Sequence, residues 1–351
     1  MGSFTPVVRP PAVEAFCELR GQAAAVERLQ GALSRDRVHH AWLFEGPGGV
    51  GKRSAARIFA KTLLCGGRGS APDPCGRCPA CGKFDAGTHA DLIWTVPEGR
   101  SVKVGEVRAG ERRLRLRPLE GSRKVWVLDP AHTLTPEAQN ALLKTLEEPP
   151  GEATLILLTS RPSVLLPTVR SRCQRLPFGP LTADTVQSIL EAQGTPRDLA
   201  RTVANLSDGS LGLARSADPE ELVQARDEAA ALDRRLDPVR SVSAAECLEV
   251  AQDLAAERVE LARTLDHLLA WTRDQTLVAA GASSPLANAD RRADLQALAA
   301  ARSLDQMLRR AEAVLEARRQ LELPFNLNPT LVAEQLCLSL GGWGRMIPVA
   351  V

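Results

Sequence analysis

Tyrosine is absent from the chain, and the aromatic residues together make up only 3% of it. Surfaces that bind single-stranded nucleic acid by stacking need exposed aromatic faces, so this composition argues against such a platform. An excess of charge is lacking as well: 44 Lys and Arg stand against 42 Asp and Glu, a net charge of +2. Any contact with a polyanion would have to come from a local patch. No apolar run approaches the length of a membrane span. The opening MGSFTPVVRPPAVEAFCEL has no charged start followed by an apolar core, as a secretory signal would. Pro6 stands where myristoylation after Met-Gly would need Ser or Thr. The expectation is a cytoplasmic protein with reduced cysteines.

What is present is ordinary for a globular protein that buries real cores: 44% apolar and 25% charged residues in a chain of 351. That length favours two or three domains. The first half alternates short apolar runs with helical segments. AWLF (41–44), DLIWTV (91–96), VWVL (125–128) and TLILLT (154–159) have the length and branching of buried parallel strands. Between the last two, Thr135 suits an N-cap, Pro136 the first helical position, and Pro149-Pro150-Gly151 a stop. Such alternation predicts an open α/β sheet with its glycine loop at a strand's carboxyl end. From Thr182 onward no strand is expected. The breaks SDGS (207–210) and SADPE (216–220) set off a small helical unit from a larger bundle. The expected domains are 1–179, 180–215 and 216–351.

The stretch EGPGGVGKRS nearly completes a phosphate loop. Gly46, Gly48, Gly49 and Gly51 would let backbone N–H groups converge on phosphate oxygens at a helix N-terminus, with Lys52 reaching the outer phosphates. Arg53 then stands where a hydroxyl should ligate magnesium, and a guanidinium has no lone pair to offer. Two like charges about 4 Å apart cost on the order of 4 kcal/mol at an effective dielectric near 20. Arg53 could swing aside, so nucleotide binding stays open, whereas Ser54 comes one position late. On VWVLDPAH, Asp129 would hold magnesium in an active site of this class. Pro130 then stands where a glutamate would position the attacking water.

Arg172, in TVRSRCQ, is either part of a solvated turn or an arginine finger reaching a phosphate held by a neighbouring subunit. Cys65, Cys75, Cys78 and Cys81 form C-x9-C-x2-C-x2-C, which supplies four thiolates for a structural zinc and leaves no open coordination position. His39, His40, His89 and His132 lack ligand spacing and read as structural. Residues 100–124 carry nine Lys and Arg against three Glu, a run read mainly as a solvated face.

HAWLFEGPGGVGK, the four-cysteine insertion, NALLKTLEEPP, LLPTVRSRCQ and NLNPTLVAEQLCLSL together resemble bacterial DNA polymerase III clamp-loader subunits of the AAA+ class. The resemblance spans essentially the whole chain. It implies a RecA-like domain (1–179) with a zinc insertion at 65–81, a helical lid (180–215) and a helical collar (216–351). The family's pentameric ring opens a sliding clamp and sets it on primer-template DNA. Members of the gamma/tau type hydrolyse ATP; they carry Thr after the loop lysine, Asp-Glu on the second strand, and Gly-Ser-x-Arg in the lid. Here Arg53, Pro130 and Gly212 occupy those positions, and a tau-like extension is missing. The resemblance is therefore to the delta-prime type. It implies gamma/tau and delta subunits as partners and Arg172 as a finger for the adjacent gamma site. Whether ATP or ADP still enters the loop is left open. A gamma/tau-like ATPase using a rearranged Ser54 is the competing reading. A stand-alone zinc-dependent DNA-binding module is disfavoured by the low net charge and few aromatics.

Overall fold

The computed structural model describes residues 14–69, 71–216, 218–322 and 327–343. Most of the N-terminal stretch read above (1–13), Ala217, and Asn326 of the NLNP break lie outside them. The chain divides into two compact units. The first comprises residues 1–185 with 210–212, and the second comprises 186–209 with 213–351.

The first unit runs α1 (Ala23–Ser34), β1 (Ala41–Glu45), α2 (Lys52–Leu64), α3 (Pro79–Asp85), β2 (Leu92–Thr95), α4 (Val104–Leu114), β3 (Lys124–Leu128), α5 (Pro136–Glu147), β4 (Ala153–Thr159), α6 (Pro167–Arg170) and β5 (Gln174–Pro177). Its five strands are all parallel, in the order β2-β3-β4-β1-β5. Leu43 of β1 lies opposite Leu157 of β4 on one side and Arg175 of β5 on the other. Because helices cover both faces, β1, β3 and β4 are buried along their full length, which is why they read as continuous apolar runs. Successive side chains alternate between faces. Trp42, Phe44 and Val125 pack with Ile58 and Phe59 of α2, whereas Leu43, Trp126 and Leu155 pack with Val107 of α4 and Leu142 of α5. The predicted start of α5 is present: Thr135 Oγ1 accepts from Ala138 N, with Pro136 at the first helical position. β1, β3 and β4 end side by side, and their carboxyl ends carry Glu45–Gly46, Asp129 and Thr159.

No strand occurs after β5 among the described residues. The chain continues as α7 (Ala183–Ala192), α8 (Arg197–Leu206), α9 (Leu211–Ser216), α10 (Pro219–Arg235), α11 (Ala244–Leu254), α12 (Arg258–Ala279), α13 (Arg292–Ala301), α14 (Leu304–Glu322) and α15 (Pro329–Leu340). Asn328 caps α15 through Thr330 N, so the expected break before the last helix is a capped start. Within the second unit, Leu261, Leu265 and Leu268 of α12 pack with Val314 and Ala317 of α14 and with Val332 and Leu336 of α15. Asp233 of α10 is wholly buried and accepts from Arg302 Nη1 at 2.8 Å, Arg310 Nη2 at 2.6 Å and Gln275 Nε2 at 2.9 Å. Burial alone would raise the Asp233 carboxyl, but Arg310 and Arg302 outweigh it and hold it below the ordinary carboxylate value. Removing one member would leave a buried charge uncompensated, so this cluster fixes the register of α10, α12 and α14. No helix among the described residues is long and apolar enough to cross a membrane.

Candidate functional site: a closed phosphate loop, an exposed arginine and a cysteine cluster

The loop between β1 and α2 turns through glycine backbone that side-chained residues rarely adopt, with φ of 142° at Gly46, 70° at Gly49 and 104° at Gly51. Gly51 is the N-cap of α2, so the helix's positive end faces the loop. Lys52 does not extend outward. It is buried, with 9% exposure, and Nζ donates to Gly46 O at 2.7 Å and to Pro47 O. The segment 210–212 lies directly on this loop: Gly212 N donates to Gly49 O at 2.9 Å. A methyl group on Gly49 would fall 2.2 Å from Ser210 Oγ, and one on Gly212 would fall 2.7 Å from Gly49 Cα. An arginine at position 212 therefore has no room in this arrangement.

Burial pushes the Lys52 ammonium down from 10.5 to about 8, against the pull of Asp129 in the opposite direction. Between those values the unfolded chain holds a proton that the folded chain has shed, so stability from this group rises as pH climbs from 8 towards 10.5. The full effect is at most about 3 kcal/mol. Urea unfolding at both ends of the window should show a larger gain for the native chain than for Lys52→Met. Equal gains would mean that Lys52 is not desolvated.

Arg53 and Asp129, 76 positions apart, form an ion pair through Nε and Oδ2. Asp129 is otherwise buried, and its own N–H donates to Thr95 O at 2.9 Å. In the sequence Arg53 and Pro130 stand as two separate departures. Parallel pairing of the strands makes Arg53 the counter-charge of the carboxylate that would have faced magnesium. The guanidinium turns onto that carboxylate instead of swinging away. Pro130 follows, and it offers neither a proton acceptor for water nor an N–H. His132 lies against Thr159 at the end of β4, with Nδ1 3.3 Å from Thr159 Oγ1. Burial, then Arg161 and Lys52, lower its pKa despite Asp129. It thus faces the loop rather than serving only the core, which its isolated position in the sequence did not signal.

Arg172 is not part of this convergence. It follows α6, and its side chain is 36% exposed. Nη1 donates to Thr168 O at 3.0 Å and Nη2 meets Glu147 Oε1 at 2.5 Å. Its neighbour Cys173 is buried, the thiol pushed up to about 12 by desolvation, so the triplet places an anchor in the core and the arginine at the surface. The buried Gln139 ties α5 to the segment preceding α6: Nε2 donates to Leu134 O, and Oε1 accepts from Leu166 N at 2.7 Å.

The four cysteines converge separately. The sulfurs of Cys65, Cys75, Cys78 and Cys81 all lie within 4.8 Å of one another, and Cys65 Sγ is 3.9 Å from Cys78 Sγ. Tetrahedral thiolates at about 2.3 Å from a metal stand roughly 3.8 Å apart, so the cluster can hold a metal ion. Burial opposes ionisation of Cys78, but the Cys81 amide and thiol and the Cys75 thiol outweigh it and bring the group down to about 6. Cys81 is held above the ordinary thiol value by burial and by the Cys78 and Cys65 sulfurs. The cluster is fastened to α2. Asp85 of α3 accepts from Arg57 and from the buried Lys61, each at 2.7 Å, and Arg57 lies over the Phe84 ring.

The family described as DNA polymerase III, delta subunit matches residues 21–182, and the one described as DNA polymerase III, delta subunit, C terminal matches residues 231–341. DNA polymerase III subunit delta' of Bacillus subtilis (strain 168) is 30% identical over 319 residues, spanning 91% of this chain and 96% of that one. DNA polymerase III subunit tau of the same organism is 38% identical over 180 residues, covering 51% of this chain and 31% of its own length. Subunit tau of Escherichia coli (strain K12) is 35% identical over 216 residues, covering 60% and 33% respectively.

Proposed function

This chain belongs to the DNA polymerase III subunit delta' family, and we propose that it is a non-hydrolysing subunit of a clamp-loader ring. The observation carrying this reading is the Arg53–Asp129 ion pair, which puts a fixed guanidinium on the carboxylate that a magnesium-dependent ATPase needs free. Lys52 turned onto its own loop carbonyls and Gly212 seated on Gly49 support the same reading. Gamma/tau and delta subunits are the partners, and the assembled ring acts on a sliding clamp and primer-template DNA. Arg172 supplies an arginine finger to the adjacent gamma site. Cys65, Cys75, Cys78 and Cys81 hold one structural zinc. Residues 1–179 form the AAA+ domain, 180–215 the lid and 216–351 the collar. The test is ATP hydrolysis by the purified chain with magnesium: no turnover is expected alone, with co-purification alongside gamma/tau and delta. Turnover by the isolated chain would favour the active-ATPase alternative.

For the collar, support comes from α14, where Leu304, Leu308 and Leu315 are exposed at helical spacing although the opposite face is core. Leu308→Asp should leave thermal unfolding of the isolated chain nearly unchanged. It should weaken ring assembly about 10-fold or more in size-exclusion titration, as loss of an interface anchor does. Assembly at native affinity would remove α14 from the interface.

A further inference from the structure

Glu147 has a place that helix physics does not favour. It is the last residue of α5, where a carboxylate sits against the partial negative charge of the helix end. Its Oε1 receives Arg172 Nη2, while Arg172 Nη1 is taken by Thr168 O. The backbone on both sides is set by the core, since Leu146 and Cys173, the neighbours of Glu147 and Arg172, are buried, as is Val169 of α6. The two acceptors thus grip one guanidinium from rigid elements and use only part of its five-donor fork. We infer that Glu147 is the positioning residue of Arg172, holding its guanidinium in one orientation with the remaining N–H groups directed at a phosphate on a neighbouring subunit. The inference rests on the reading of Arg172 as a finger.

An exposed ion pair of this kind contributes little to folding stability, and half of the Glu147 side chain is open to solvent. Its value lies in restraint. An arginine free to sample its rotamers forfeits up to about 30-fold in the population of the productive one. Orientation, unlike charge, is partly preserved by glutamine, whose carbonyl oxygen can still accept from Nη2.

The test is DNA-stimulated ATP turnover by the ring reconstituted from this chain with gamma/tau and delta subunits, clamp and primed DNA, at saturating and limiting ATP. Glu147→Ala should lower kcat in the same direction as Arg172→Ala and no further, with KM for ATP unchanged. The double variant should match Arg172→Ala alone, because Glu147 acts only through that side chain. Glu147→Gln should retain more turnover than Glu147→Ala, and because it keeps the side chain's shape it separates positioning from any loss of folding. If Arg172→Ala lowers turnover while Glu147→Ala and Glu147→Gln do not, the finger stands and the positioning role falls. A rise in turnover with Glu147→Ala, or a double variant lower than Arg172→Ala by the full Glu147 factor, also overturns it. A silent Arg172→Ala removes the finger itself, and this inference with it.

Discussion

Rings carrying Arg172→Ala are expected to assemble normally and to lose DNA-stimulated ATP turnover and clamp loading. The side chain is at the surface, so its removal opens no cavity, and the buried Cys173 keeps the segment in place. A finger stabilises charge building on the transferring phosphoryl group and is worth roughly 10³ to 10⁵ at the site it serves. The loss for the whole ring should be smaller if its other sites draw their fingers from other subunits. Arg172→Lys should rescue poorly, since an ammonium cannot reproduce the planar fork. Lys52→Ala, in a loop whose lysine is already turned inward, should change ring turnover little. Normal loading by Arg172→Ala rings, with loading abolished by Lys52→Ala, would reverse the assignment and place the chemistry in this chain's own loop.

Metal analysis of protein purified without added metal should find about one zinc per chain, and Cys78→Ser should destabilise the first unit strongly. Four thiolates leave no position for substrate, so a metal held there would contribute to folding. The insertion is also held by Asp85 and Phe84 against α2, which limits the damage to part of the unit. A loss of about 3 kcal/mol or more, and a fall in Tm of roughly 10 °C, is the expected scale. Loss of chelated metal should reproduce the shift in the native chain and add nothing to the variant. A metal-free native chain that melts at the same temperature would end the zinc assignment.

Much of this was legible in the sequence because the signals are local. The buried strands show as short apolar runs, α5 announces its start through Thr135-Pro136, and C-x2-C-x2-C brings three sulfurs together in one turn. What escaped are pairings set by topology. Arg53 and Asp129 could each be read against one expected magnesium site, but their direct ion pair depends on β1 and β3 running parallel with β4 between them. Glu147 and Arg172 meet because α5 and α6 flank β4. Gly212 reads as a missing arginine until its backbone is found against Gly49. Lys52 follows the phosphate-loop pattern to the letter, yet its direction depends on carbonyls of its own loop, which a pattern of residue types does not encode.

The contact between Gly212 and Gly49 bears on whether single substitutions could build the gamma/tau residues into this chain. Threonine at 53 alone would strip Asp129 of its ion-pair partner and leave a buried carboxylate to its own desolvation cost. Glutamate at 130 alone would add a second negative charge beside it. Arginine at 212 alone would drive a side chain into the backbone of Gly49. Made alone, each of these substitutions works against the stability of the site it enters. The site therefore resists change one residue at a time: Arg53 brings to Asp129, as part of the chain itself, a positive charge that would otherwise have to arrive from solution.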